Sequence, residues 1–239
     1  MLGRFLEWSI VTPDIGASLA FYRKLGFSEA EVGEAWTHPY AVVTDGRIHL
    51  GLHQQPSFAA SATFVKPQLL KHLRSLEELG LDFEFRHLAN DRFNEVGWLD
   101  PSGHLIRLVE ARTFSPLERP TAADSLCGYF SEVALPAASL ERAKLHWERF
   151  GFVGLDDLEA TLPHVSCTSD TVDIGLYEPA HLPEPTLIFE VDDFAAAAAR
   201  LDEAGIIPRG RLPAPLNRRS AAMLKAPEGT ALLLAERRD

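Results

Sequence analysis

The sequence has few cysteines, a deficit of basic residues and no long apolar run. Its 239 residues include only two cysteines, Cys127 and Cys167. Two thiols are too few for a disulfide framework, so free thiols in a reducing cytoplasm are the simpler interpretation. Lysine and arginine number 23 against 34 acidic residues, which gives a formal net charge of -11. Because nucleic acids are bound through a basic face, this balance argues against a nucleic-acid partner.

Two further features narrow the class of protein. No apolar stretch approaches the roughly 20 residues that a membrane-spanning helix requires, and the negative charge disfavours an anionic membrane surface. The rest of the composition is ordinary for a globular chain, with 46% hydrophobic and 24% charged residues, and is sufficient to bury a core. We therefore predict a cytoplasmic protein whose partner is a small molecule.

The chain contains an internal repeat. One copy runs from Glu7 to Phe27 and the other from Glu132 to Phe152, and each reads as a strand, a turn, an amphipathic helix and a Gly-Phe exit. Gly80 and Gly205, which end two further predicted helices, keep the same spacing of 125 positions. A constant spacing between landmarks so far apart in the chain indicates a duplication.

Each repeat divides again into two smaller modules. Every module shows the order strand, helix and three strands, with a glycine after the helix to end it. We predict an α+β fold of four βαβββ modules in two tandem domains. The predicted domains are residues 1–112 (modules 1–56 and 60–112) and 125–239 (modules 125–178 and 185–239), joined by a proline-containing linker at 113–124.

Three segments carry a resemblance to a known superfamily. They are S-L-A-F-Y-R-K-L-G-F (18–27), E-R-A-K-L-H-W-E-R-F-G-F (141–152) and G-W-L-D-P-S-G-H-L-I-R-L-V-E (97–110). They resemble the vicinal oxygen chelate superfamily, which includes glyoxalase I, bleomycin-resistance proteins and extradiol dioxygenases. The resemblance covers nearly the whole chain outside the linker. It implies that paired modules curl into half-open barrels around cavities, a fold that supports several chemistries.

The resemblance also implies where a metal would bind. Metal-dependent members carry ligands on the first and last strands of each module. The matching positions of the first domain are Glu7, His49, Ser61 or Ala62, and Arg107. Those of the second are Glu132, Asp173, Thr186 and Leu233. The cation of Arg107 repels a metal, and the second domain supplies only two donors. We therefore predict no metal and no other cofactor; the alternative is a divalent metal bound by Glu7 and His49 or by Glu132 and Asp173.

Strand alternation predicts which side chains face the first cavity without help from the resemblance. The apolar residues of the predicted strand at 48–52 share one face, so His49, Gly51 and His53 point the other way. The same alternation turns Arg107 towards the cavity.

These facings give the first domain its candidate catalytic and binding residues. His49 is a candidate general base, because the ordinary pKa of histidine lies near neutrality. Glu7 is the second catalytic candidate. Arg107 is predicted to pair with Glu7 and to bind a ligand carboxylate or phosphate. The alternatives are a histidine without chemistry and an ion pair that only neutralises itself. The other histidines of this domain are predicted to lie at the surface: His38, His53, His87 and His104.

Three further residues are candidate ligand contacts. Trp98 follows a polar loop and is predicted to stack on a flat ligand, with core packing as the alternative. Glu132 and Asp173 are predicted to face the second cavity as paired carboxylates; the alternative is a solvated cavity mouth.

The predicted cavities suggest what the protein does. Apolar walls with a few polar groups suit a drug-sized or aromatic ligand. We predict a glyoxalase- or bleomycin-resistance-like protein that binds a small anionic or aromatic molecule without metal, as a monomer or a homodimer. One alternative is a metal-dependent enzyme of the superfamily, either a glyoxalase-like lyase or isomerase or an extradiol-type dioxygenase. The other is an interaction protein with decayed sites.

Overall fold

A computed structural model of the chain describes residues 2–31, 36–56, 58–89, 94–110 and 125–237. Within these ranges it contains four helices and 15 strands, arranged in two sheets. The predicted α+β class is therefore confirmed. The predicted linker at 113–124 lies outside the described residues, and the domain boundaries stay a prediction.

The first half of the chain forms one eight-stranded sheet and two helices. The strands are β1 (Arg4–Val11), β2 (Ser28–Ala30), β3 (Tyr40–Thr44), β4 (His49–His53), β5 (Ser61–Lys66), β6 (Phe83–His87), β7 (Glu95–Leu99) and β8 (Leu105–Glu110), and the helices are α1 (Ile15–Lys24) and α2 (Leu69–Glu78). The strand order is β2-β3-β4-β1-β5-β8-β7-β6. The first strand of each module therefore lies at the centre of the sheet.

The second half repeats this arrangement with one strand fewer. Its strands are β9 (Tyr129–Pro136), β10 (Val153–Asp157), β11 (His164–Thr168), β12 (Ile174–Tyr177), β13 (Thr186–Val191), β14 (Ala221–Lys225) and β15 (Ala231–Glu236), and its helices are α3 (Leu140–Arg149) and α4 (Phe194–Glu203). The strand order is β10-β11-β12-β9-β13-β15-β14. Three modules are βαβββ as predicted, and the fourth has two strands after its helix. Residues 206–220 contain three prolines, which cannot donate to a strand ladder.

Local sequence signals explain where the helices begin. Asp14 and Ser139 are extended residues whose side chains accept hydrogen bonds from Ala17 N and Arg142 N, so both act as N-caps. Each cap thus fixes the point where its helix begins, shortly after β1 or β9.

One apolar core joins the two halves. The rings of Phe27 and Phe189 lie 6.3 Å apart, and those of Phe64 and Phe152 lie 6.4 Å apart. The hydroxyl of Tyr22 donates to Glu228 at 2.8 Å across the same boundary. The opposite face of the first sheet is thus left to form a cavity. In the described part of the chain, no helix has the length and apolar character that crossing a bilayer would demand.

Candidate functional site

One face of the first sheet carries an open cavity of about 680 Å³. Side chains from several strands and loops line it, among them Trp36, His38, Phe58, Phe85, Glu95 and Arg107. This volume falls in the range that small-molecule sites usually occupy. Aromatic walls with a few charged groups make it the candidate functional site.

Glu7 lies beneath this cavity on the central strand β1, and its side chain is buried. Its Oε1 accepts a hydrogen bond from Ser9 Oγ at 2.7 Å and lies 2.8 Å from Nε2 of His53. Its Oε2 accepts from the hydroxyl of Tyr40. Three partners on one buried carboxyl group hold it in a single position, because each would be costly to leave unsatisfied.

Gly51 makes the space that Glu7 occupies. A Cβ atom built on Gly51 would lie 2.2 Å from the carboxyl carbon of Glu7. Glycine is therefore required here by close approach of a side chain. Gly175 has the same relation to Glu132 in the second half, where the Cβ would lie 2.1 Å from Oε1.

A hydrogen-bonded pair of histidines connects Glu7 to the cavity. Nδ1 of His53 lies 2.9 Å from Nε2 of His38, and His38 lines the cavity wall. The ring of His53 is fully buried and stacks on Phe58, with ring centroids 3.9 Å apart. Burial lowers the pKa of His38, and the nearby His53 and Arg107 lower it further. The histidine at the wall is therefore held towards its neutral form.

Arg107 forms a second polar group in the lining of the cavity. Its Nη1 donates to Glu95 Oε2 at 2.5 Å, while Glu95 Oε1 lies 2.7 Å from Nδ1 of His87. The guanidinium carbon lies 4.1 Å from the ring centroid of Phe58 and 4.7 Å from that of Phe85. Its Nε is buried and has no hydrogen-bond partner among the described residues.

The predicted pair of Glu7 and Arg107 does not form. The register places Glu7 opposite Thr63 on β5, and Thr63 opposite Arg107 on β8. A full strand therefore separates the two charged side chains. Arg107 turns instead to Glu95 on its other neighbour, β7, and Glu7 turns to His53 on β4.

His49 lies on the same face of β4 as Gly51 and His53, as alternation predicts. The imidazole bonded to Glu7 belongs to His53, two residues further along the strand. Burial lowers the pKa of His49, and Glu7 opposes that shift. The catalytic role assigned to His49 stays a prediction. The expectation that His53 lies at the surface is wrong, since its side chain is fully buried.

Trp98 lies in the apolar core rather than at the cavity. Its ring packs against Phe83 at 6.1 Å and against Phe150 of the second half at 5.5 Å. Alternation along β7 explains this placement, because Glu95 and Gly97 point to the opposite side from Val96 and Trp98. The structure thus favours the packing interpretation of Trp98 over ligand stacking.

In the second half, Glu132 also has a tyrosine and a histidine beside it, but these two have exchanged strands. Its Oε1 accepts from the hydroxyl of Tyr177 at 2.5 Å and lies 3.9 Å from Nε2 of His164. Tyr40 pairs with His53 across β3 and β4, and His164 pairs with Tyr177 across β11 and β12. The two repeats therefore keep one carboxylate, one tyrosine and one histidine, with the last two interchanged.

In the second half, apolar side chains fill the corresponding space beside the sheet. The register matches Ser9, Thr63, Gly97 and Arg107 of the first half with Ala134, Ile188, Met223 and Leu233 of the second. These four pack in one buried cluster with Leu162 and Leu182. Asp173, which precedes β12, accepts from the backbone of Ser169 at 3.4 Å and has no bond to Glu132. The open polar cavity thus belongs to the first half.

Burial raises the pKa of Glu132, against the opposing effects of His164 and Tyr177. A folded-state pKa above the unfolded one contributes stability in acid, and this contribution is lost as pH rises through the folded-state pKa. We expect Glu132→Gln to remove that loss. Above about pH 4.3, the free energy of unfolding of wild type should fall by up to about 1.4 kcal/mol per pH unit more steeply than that of the variant. Urea denaturation of both proteins across this pH range measures it. Parallel curves would contradict the assignment.

Solved structures of dioxygenases share this fold. Catechol 2,3-dioxygenase matches with a TM-score of 0.62 at 14% identity, over 98% of this chain and 87% of that one. Homoprotocatechuate 2,3-dioxygenase from Arthrobacter globiformis matches with a TM-score of 0.62 at 16% identity, over 98% and 80%. A variant of the Brevibacterium fuscum enzyme matches with a TM-score of 0.64 at 16% identity, over 98% and 71%. The chain has the vicinal oxygen chelate fold. No family model matches it, and no curated protein does.

The vicinal oxygen chelate fold raises the question of a metal. Among the described residues, no three His, Cys, Asp or Glu side chains are placed to bind one ion. Both oxygens of Glu7 already accept hydrogen bonds, and the last-strand positions are Arg107 and Leu233. A divalent metal needs several free lone-pair donors, so these residues do not fit one. That the protein works without metal stays a prediction.

Proposed function

We propose that the protein binds a small planar molecule with an anionic group in the cavity of its first half, without a metal. The observation that carries the proposal is the wall formed by Arg107, Phe58 and Phe85. Flat rings there suit a flat ligand. Arginine has five N–H donors, and only one of them bonds a described residue, Glu95.

The test is binding of aromatic acids by wild type and by Arg107→Gln. Benzoate, 4-nitrobenzoate, 4-nitrophenol and catechol form the panel, and calorimetry gives the affinities. Losing one charge-assisted contact should weaken an anionic hit by at least about tenfold. Arg47→Gln is the matched control, because Arg47 lies over the ring of Tyr129 at 3.8 Å and does not line this cavity.

Two outcomes would contradict the proposal. One is the absence of any hit in the panel, by calorimetry or by a rise in melting temperature, since a ligand selective for the folded state must stabilise it. The other is an equal effect of Arg107→Gln and Arg47→Gln on the affinity of an anionic hit.

A second candidate function is a dioxygenase that acts on an aromatic diol. It is favoured by the similar structures, which are named for catechol and homoprotocatechuate. The described residues argue against it, because they do not provide the ligands that a divalent metal needs. Oxygen-dependent turnover of catechol after addition of Fe²⁺ or Mn²⁺ would support this candidate and overturn the metal-free proposal.

A further inference from the structure

We propose that His38 is the general base of the first cavity, and that His53 and Glu7 drive it as a proton relay. The ligand class this implies is an aromatic molecule with an acidic hydroxyl. The inference rests on the proposed function, because the relay serves a ligand bound in this cavity.

The relay is a row of three groups that leads from the interior to the cavity. Glu7 and His53 have side chains 1% and 0% exposed, whereas His38 reaches the wall. The two links measure 2.8 Å from Glu7 to His53 and 2.9 Å from His53 to His38. Both are ordinary hydrogen-bond lengths.

The chemistry of the buried end fixes the protons along the row. Glu7 accepts bonds from Ser9 and Tyr40, as an ionised carboxylate would. An ionised carboxylate can only accept, so Nε2 of His53 carries a hydrogen, and in the neutral ring its Nδ1 holds a lone pair. That lone pair accepts from Nε2–H of His38. Nδ1 of His38 therefore keeps a lone pair for a ligand proton.

The proton transfer balances within these three residues and the ligand. The O–H bond of the ligand breaks, an N–H bond forms at Nδ1 of His38, and the oxygen keeps the electron pair. The Nε2 proton of His38 then moves to Nδ1 of His53. The resulting imidazolium of His53 lies against the carboxylate of Glu7, an arrangement that stabilises both charges.

The surroundings of His38 favour its neutral form, which can accept a proton from the ligand. Burial opposes a proton on His38, as His53 and Arg107 do, while Glu95 and Glu7 favour one. The neutral ring is thus available before the ligand binds. Once the ligand is an anion, the guanidinium of Arg107 on the same cavity stabilises it, as a fixed cation does for developing negative charge.

The second repeat lacks this row. Its histidine, His164, has Nδ1 2.9 Å from the backbone oxygen of Leu162, so no second imidazole follows among the described residues. Glu132 is buried, as Glu7 is, and belongs to no relay. Glu132→Gln is therefore a matched control for Glu7→Gln.

The first test is ligand-free and uses nuclear magnetic resonance of ¹⁵N-labelled histidine. We expect His38 to carry its hydrogen on Nε2 in wild type and to lose proton affinity in Glu7→Gln but not in Glu132→Gln. His53→Gln, which breaks the row at its middle, should weaken the preference of His38 for hydrogen on Nε2, and this second variant guards against one that fails to fold. Hydrogen on Nδ1 of neutral His38, or equal titration in all variants, would overturn the relay.

The second test uses 4-nitrophenol, whose ionised form absorbs visible light. Bound to wild type or Glu132→Gln, it should ionise at least about one pH unit lower than in water. That shift should shrink in His38→Gln, His53→Gln and Glu7→Gln to the part that Arg107 alone supplies. Binding without any shift in wild type would overturn the relay and leave the proposed function intact. Absence of binding would count against the proposed function, and the resonance result then decides the relay by itself.

Discussion

Replacing Gly51 by alanine should destabilise the protein by about 3 kcal/mol, because it forces the Glu7 carboxyl group out of its three hydrogen bonds. The added Cβ would lie 2.2 Å from the carboxyl carbon, well inside contact distance. The side chain cannot simply rotate away, since Ser9, Tyr40 and His53 enclose it. Urea denaturation measures the loss.

Two further variants make the Gly51 prediction specific. Gly80→Ala is the control for backbone strain, because Gly80 has φ of 69° and a Cβ there would meet nothing within 4 Å; it should cost only about 1–2 kcal/mol. Combining Gly51→Ala with Glu7→Ala should cost less than the sum of the two single changes, since the collision is then gone. An equal cost for Gly51→Ala and Gly80→Ala, or strict additivity, would contradict the account.

Replacing Arg107 by leucine should cost about 3 kcal/mol, and replacing Glu95 by alanine in the same protein should restore most of it. The single change leaves a half-buried carboxylate without its cation, which is expensive. The double change reproduces Leu233 and Ala221, the residues at the matching positions of the second repeat. Replacing a whole buried ion pair by apolar residues is often neutral.

Stability and binding should separate in this pair of variants. Arg107→Leu with Glu95→Ala should fold nearly as stably as wild type by urea denaturation and still fail to bind any anionic hit from the aromatic panel. Arg107→Leu alone should be less stable and equally unable to bind. If the double variant were no more stable than the single one, the ion pair would not be what holds Arg107 in place.

The sequence was sufficient to predict the fold because its repeat is long and regular. The 125-residue spacing and the glycine after each helix are clear in a chain that is only 14–16% identical to the dioxygenase structures of the same fold. Alternation along β8 also predicted that Arg107 faces the cavity, which it lines. Alternation is a local signal, because it follows directly from the geometry of a single strand.

The partners of the site residues depend on register, which a single sequence does not contain. That Glu7 meets His53 rather than Arg107 follows from the order of strands β4, β1, β5 and β8. The alternation of His49, Gly51 and His53 was the available signal, and it pointed to all three residues equally. The face of Trp98 depended in the same way on which side of β7 meets the core.

Motifs could not predict that the first half has an open cavity while the second half is filled. Each half has a glutamate, a tyrosine and a histidine in similar positions. What distinguishes them is the apolar filling around Ile188 and Leu233, together with Leu162 and Leu182 from the connecting segments. Only the packed structure shows that these side chains occupy the space that lies open beside Arg107 in the first half.

Calorimetric titration of metal-free wild type with the aromatic panel tests the central claim most directly. Metal content is first brought to zero with a chelator and verified by mass spectrometry. The account predicts saturable binding of an anionic aromatic compound at one site per chain, and loss of that binding in Arg107→Leu with Glu95→Ala. Binding that appears only after a divalent metal is restored would contradict it.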